Sequence, residues 1–197
     1  MCKVKIAVLV SGGGTNLQAL IDAQGDGRLK SGEIVLVVSN RADAFALTRA
    51  ARAGIPAAHL KKDGFEEKLD ALLEERGAGL IVLAGFLKIL SPEFTKKWDG
   101  RIINIHPSLI PAFCGEGYYG LRVHEAALER GVRWTGATVH FVNEVPDGGA
   151  IILQKPVEIL PDDTAETLQK RVMREAEWVI LPEAAELVSK KLLEGKL

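Results

Sequence analysis

Apolar residues in this chain come in short dense runs, separated by stretches where they recur every three or four positions. The runs at 5–10, 34–39, 80–83 and 102–105 are almost wholly apolar. Runs of that length and density predict strands buried on both faces. Between them, Leu17, Leu20 and Ile21 fall on one face of a helix, as do Phe65, Leu69, Leu72 and Leu73. Ser91-Pro92-Glu93 predicts another helix start, with Ser91 as cap and Pro92 in the first turn. Strand and helix in repetition predict an α/β fold: a single-domain, three-layer sandwich over 1–197, with a mostly parallel central sheet and helices on both faces.

After Pro107 the texture changes. Residues 111–119 are rich in Gly, Pro and aromatics and predict a structured loop. A short helix over 123–130 should end at Gly131, and strands are expected at 138–142 and 151–157, joined by a polar loop at 143–149. Asp162-Asp163-Thr164 should open a long final helical region that Pro182 kinks or divides.

Bulk properties narrow the field. Lys and Arg number 25 against 26 Asp and Glu, a net charge of −1, which argues against a strongly basic nucleic-acid binder. No apolar run reaches bilayer length, so no membrane association is expected. The apolar start runs into Ser11-Gly12-Gly13-Gly14, so a first strand is a better reading than a signal segment. Cys2 and Cys114 lack disulfide or zinc spacing, and the four histidines lack metal-ligand spacing, so a cytoplasmic protein without a metal is expected.

Ligands of open parallel sheets sit beyond the carboxyl ends of the strands. Three polar clusters follow strand ends here. Ser11-Gly12-Gly13-Gly14-Thr15-Asn16 precedes a helix, so its backbone N–H groups and the helix dipole suit an anion. A dinucleotide site is disfavoured by Leu17 in place of a third glycine and by Ser39-Asn40 in place of an acidic residue. A Walker loop lacks its lysine, and a small phosphate monoester is the better fit. Packing alone would also use such a glycine turn.

Asn104 and His106 lie two apart on a strand and so share a face. An amide that can hold an oxyanion beside an imidazole that can move protons suits acyl chemistry, although a buried Asn and His tying down a loop would look the same. Asp147, in Pro146-Asp147-Gly148-Gly149, reads equally as a turn residue or as a carboxylate folding back to raise the imidazole pKa. No nucleophile elbow stands out, which disfavours a covalent intermediate. His59 and His124 read as ordinary histidines; His140 shares a face with Thr138 and reads either as lining the site or, in preference, as a hydrogen-bonded structural histidine.

The blocks at 10–19, 39–44, 83–91 and 103–111, with Thr138-Val139-His140-Phe141-Val142 and Asp147-Gly148-Gly149, resemble the glycinamide ribonucleotide (phosphoribosylglycinamide) formyltransferases in family order. The resemblance implies the Rossmann-like formyltransferase fold and a cytoplasmic one-carbon transferase of purine biosynthesis. Such an enzyme moves a formyl group from 10-formyltetrahydrofolate, its co-substrate, to the amine of glycinamide ribonucleotide, without a metal. Its partners would be small molecules, with a homodimer left open.

Carried over by motif, Asn104, His106 and Asp147 are catalytic, and Gly14, Thr15, Asn16, Arg174 and Glu177 bind the ribonucleotide. Leu87, Lys88, Ile89, Leu90, Asn104, Asn143, Glu144 and Asp147 border the folate. The chain departs from the family in lacking an Arg before Phe65 and in having Lys88 for a frequent Arg. It also has a longer loop at 113–120, one extra residue within 171–177, and Trp178 for a common His. Superfamily members with an added basic C-terminal or N-terminal regulatory domain are expected to be longer than 197 residues. A formyltetrahydrofolate hydrolase and a non-catalytic phosphate-binding module remain the alternatives.

Overall fold

The computed structural model describes residues 2–197. Seven strands form one sheet in the order β3-β2-β1-β4-β5-β6-β7. They are β1 (Val4–Val10), β2 (Gly32–Ser39), β3 (Ala57–His59), β4 (Leu80–Leu83), β5 (Ile102–His106), β6 (Trp134–Phe141) and β7 (Ile151–Glu158). β1 to β5 run parallel, and β6 and β7 are antiparallel to their neighbours. The helices are α1 (Thr15–Gly25), α2 (Phe45–Arg52), α3 (Phe65–Arg76), α4 (Pro92–Lys97), α5 (Leu121–Arg130), α6 (Ala165–Val172) and α7 (Trp178–Leu193).

The dense strands are coated on both sides because successive side chains point to opposite faces. Ile6, Val8 and Val10 of β1 join one core with Leu17 and Leu20 of α1 and Leu181, Ala184 and Val188 of α7. Ala7 and Leu9 join the other with Phe65, Leu69 and Leu73 of α3 and Phe94 and Trp98 next to it. The three-layer α/β sandwich with a mostly parallel sheet is therefore the architecture. A register shift between Ile6 and Ala7 pairs Ile6 with Ile34 but Ala7 with Leu36. That irregularity keeps Ile34 and Val37 in the same core, which strict alternation would forbid.

The punctuation read from sequence works locally. Ser91 Oγ accepts from Phe94 N–H, with Pro92 opening α4. Gly131 ends α5 at φ +71°. Pro182, however, neither ends nor divides its helix: α7 runs straight through it. The break falls earlier, in a π-helical turn at Met173–Glu177. Pro182 has no N–H for the Trp178 carbonyl, and the widened turn ends at Glu177, just before that carbonyl. It also gives the extra residue expected within 171–177 a structural counterpart. α2 and β3 carry no apolar signature in the sequence. The buried face of α2 is only Ala46 and Ala50, and β3 is three residues at the sheet edge. No described helix is long and apolar enough to cross a membrane.

β1 has β2 on one side and β4 on the other, so the order reverses there, and the crevice beyond the carboxyl ends of β1, β4 and β5 is where such sheets take ligands. Close backbone packing fixes the β6–β7 edge: a methyl group on Gly136 would lie 2.1 Å from the Lys155 carbonyl oxygen and 2.9 Å from Leu109 Cδ2. Gly136→Ala should therefore destabilise the protein by about 1–3 kcal/mol in urea denaturation. Gly25→Ala, where a methyl meets nothing within 4 Å, should be neutral or stabilising by up to about 1 kcal/mol.

Candidate active site

β5 and β6 pair antiparallel with Asn104 opposite His140 and His106 opposite Thr138. Residues directly opposite share a face, so one short ladder gathers an amide and two imidazoles. Asn104 Nδ2 lies 3.1 Å from His140 Nε2. His140 Nδ1 is 2.7 Å from the Phe141 carbonyl and donates to it, which leaves Nε2 to accept from Asn104. Both rings are buried. His140 thus orients the amide at the centre of the cluster, the site-lining place that is the weaker of its two sequence readings. The signal that finds it is the shared face with Thr138 once β6 is paired with β5.

Asp147 comes back to this ladder from the far side of its loop. Its Oδ2 lies 3.4 Å from His106 Nδ1, and its Oδ1 lies 3.5 Å from both His140 Nε2 and Asn104 Nδ2. The two glycines after it make the return possible. A methyl on Gly149 would sit 1.7 Å from the Phe141 carbonyl oxygen, and one on Gly148 would sit 2.7 Å from Val145 Cγ1. Asp147 itself has φ +55°, which a short polar residue tolerates best among non-glycines.

The glycine-rich loop closes the cluster from above, a part the sequence reading left without a role. Gly115 N–H donates to Asp147 Oδ2 at 2.9 Å, and His106 Nε2 donates to the Phe113 carbonyl at 2.9 Å. The open nitrogen of His106 is therefore Nδ1, beside the carboxylate. Burial pushes His106 below the ordinary imidazole value, against the pull of Asp147 and the Phe113 carbonyl. The carboxylate raises the imidazole pKa as expected from sequence, but desolvation outweighs it. For Asp147 the balance is opposite: burial raises it, yet its contacts with the His140 and His106 rings and the Gly115 N–H hold it below the usual carboxylate value.

The glycine turn after β1 forms the second part. Gly14 has φ +73°, and a methyl there would lie 2.6 Å from Ala46 Cβ, so only glycine fits. Asn16, in the first turn of α1, donates from Nδ2 to Glu177 Oε2 at 2.6 Å, while its buried Oδ1 has no partner. The π turn delivers Glu177 here across 161 positions of sequence. Arg174 is not delivered: its exposed guanidinium pairs with Glu175 at 2.8 Å.

The third part is a cleft lined by Phe86, Lys88, Ile89, Leu90, Asn104 and the stretch 142–147. Asn143 and Glu144 thus flank it as expected, while Leu87 lies exposed outside it. Ser11 ties the cleft to the glycine turn, with Oγ donating to Asn40 Oδ1 at 2.7 Å and accepting from Leu87 N–H at 2.9 Å. Among the described residues no group of His, Cys, Asp and Glu is arranged to hold a metal ion.

Residues 4–185 match the formyl transferase family. The chain belongs to it. It is 47% identical over 199 residues to the phosphoribosylglycinamide formyltransferase of Haemophilus influenzae, covering 98% of this chain and 89% of that one. It is also 49% identical over 193 residues to the trifunctional purine biosynthetic protein adenosine-3 of Gallus gallus, covering 95% of this chain but only 18% of that larger protein. Among solved structures, glycinamide ribonucleotide transformylase 1 of Symbiobacterium toebii superposes with a TM-score of 0.88 at 42% identity, over 95% of this chain and 88% of that one.

In this formyl transferase the missing Arg before Phe65 leaves a cation nearby all the same. Lys88 Nζ lies 5.4 Å from the Phe65 ring centroid and 3.8 Å from Glu66 Oε1. His124, read as ordinary, is buried in α5 with neither ring nitrogen bonded, and burial pushes it down to about 4.

Glu177 makes the cluster pH-sensitive. Burial pushes it up to about 7 from an ordinary 4.5, against the hydrogen bond from Asn16. The folded protein then binds this proton more tightly than the unfolded chain. Its stabilising share is full below about 4.5 and is lost as pH rises through about 7. Glu177→Gln keeps the bond to Asn16 and removes the titration. Denaturation at pH 5 and pH 8 should show wild type losing on the order of 3 kcal/mol more than Glu177→Gln between the two.

Proposed function

We propose that this chain transfers the formyl group of 10-formyltetrahydrofolate to the amine of glycinamide ribonucleotide. The observation that carries the reading is the convergence of Asn104, His106 and Asp147 at the end of β5, between the glycine turn and the cleft. Family membership and near full-length similarity to a phosphoribosylglycinamide formyltransferase support the substrate pair.

Gly13, Gly14, Thr15 and Asn16 would hold the phosphate by their N–H groups and side chains at the start of α1, with Glu177 beside the ribose. The cleft encloses about 120 Å³. Pockets that swallow a drug-sized ligand run to about 300–1,000 Å³. Only the folate's ring head would enter, between Ile89, Leu90 and the 142–147 stretch, while Leu87 and Lys88 would line the exit. The folate supplies an activated formyl carbon and a nitrogen leaving group.

Asn104 has two amide hydrogens. One is committed to His140, and the other makes only a 3.5 Å contact with Asp147. That weak contact is the one Asn104 would exchange for the developing oxyanion. The buried, neutral His106 would take at Nδ1 the proton that the attacking amine loses, and Asp147 would stabilise the imidazolium so formed. His106 would then return the proton to the departing folate nitrogen, so protons balance with no net change in the enzyme. His106→Ala and Asn104→Ala should each lower kcat by about 10²–10³ with modest changes in KM. A direct assay of folate product settles the reaction class: product formed equally without glycinamide ribonucleotide would make the protein a hydrolase.

A further inference from the structure

The glycine turn has a feature that its own residues do not explain. Two consecutive peptides point their carbonyls toward α2. Gly12 O accepts from Ala46 N–H at 3.1 Å, and Gly13 O accepts from Arg49 Nε at 2.8 Å. A trans peptide is planar, with its N–H opposed to its C=O. Holding those two carbonyls on the α2 side therefore turns the N–H groups of Gly13 and Gly14 to the opposite side. Among the described residues neither N–H has a protein acceptor. Gly12 and Gly13 are exposed, and a methyl on either would meet nothing within 4 Å. The partnerless, buried Oδ1 of Asn16 lies two residues beyond Gly14.

Arg49 is held for this task. Its guanidinium lies 5.2 Å from the Phe45 ring centroid, its NH1 donates to Gln18 Oε1 at 3.0 Å, and its Cδ would lie 3.3 Å from a methyl on Gly14. The fork thus joins α2, the glycine turn and α1 in one fixed geometry, which a flexible ammonium would not impose. The geometry points to Arg49 as a positioning residue for the phosphate: through the Gly13 carbonyl it presets the peptide whose N–H receives the anion. This rests on the ribonucleotide reading above.

Steady-state kinetics on three proteins test it. Arg49→Met keeps the length of the stem and removes the donors together with the guanidinium–Phe45 contact. It should raise KM for glycinamide ribonucleotide about tenfold or more, with kcat at saturation and the KM for the folate within about twofold. Arg49→Lys should recover part of the loss. Competition by the same riboside without its phosphate separates the two levels of the claim. Wild type should prefer the ribonucleotide, and Arg49→Met should lose most of that preference. A wild type with no preference overturns the phosphate reading itself. A wild type that discriminates, with Arg49→Met discriminating equally, overturns the role of Arg49 alone. If Arg49→Met does not fold, Arg49→Lys decides: an unchanged ribonucleotide KM overturns the proposal, and a selective rise supports it.

Discussion

The antiparallel register of β6 on β5 is the constraint on which the site depends. It sets Asn104 against His140 and His106 against Thr138, and the residues between them, such as Ile103 and Ile105, go into the core. A slip of β6 by one residue would turn His140 and Thr138 away from Asn104 and His106 and set Val139 in their place. The hydrophobic core therefore enforces the geometry of the cluster: the register that buries Ile103, Ile105 and Val139 is the register that assembles the amide and the imidazoles. Thr138 adds a second lock. Its Oγ1 donates to Ser108 O at 2.7 Å and receives Ile110 N–H and Gln154 Nε2, pinning the chain just after His106.

Burial at this ladder decides the resting protonation. A carboxylate 3.4 Å away would charge an exposed imidazole, but His106 is 4% exposed and desolvation prevails. The result suits acyl transfer better than a permanently charged ring. A neutral His106 is able to accept a proton, and Asp147, held ionised by its neighbours, would stabilise the imidazolium in the proposed transfer. Asn104 stays poised because one of its hydrogens is well bonded and the other is not.

Much of this was legible in the chain and some was not, for physical reasons. The strands buried on both faces announce themselves by density, and α4 and α5 by their caps, because these are local signals. The positions of Asn104 and His106 follow from strand alternation alone. That Asp147 reaches them depends on two backbone approaches, Gly148 to Val145 and Gly149 to Phe141, which a sequence shows only as two glycines. For His140 the sequence leaves a structural and a site-lining role open, because strand pairing, not its neighbours in the chain, puts it beside Asn104. α2 escaped notice because its inner face is alanine, yet it braces the glycine turn. Pro182 reads as a kink or a divide in the final helix, but α7 continues through it, and the π turn upstream carries Glu177 to Asn16.

The two halves of the sheet contribute different chemistry. Parallel strands must be joined by helices, so each β–turn–α step offers helix N–H groups at a strand end, and the first of these offers Gly13, Gly14 and Asn16. Antiparallel strands can be joined by short loops, and the β6–β7 connection brings Asp147 straight back over β5. A wholly parallel sheet would offer anion cradles but no such short return; a wholly antiparallel one would lack the cradle. Where β4 and β5 meet β6, both devices stand within one crevice. Ser11 then makes them a unit, since its hydroxyl links the β1 turn to the Leu87 backbone at the cleft mouth. The glycine turn and the cleft wall are thereby fixed relative to each other. What each holds can then meet over His106 with little left for the protein to reorganise.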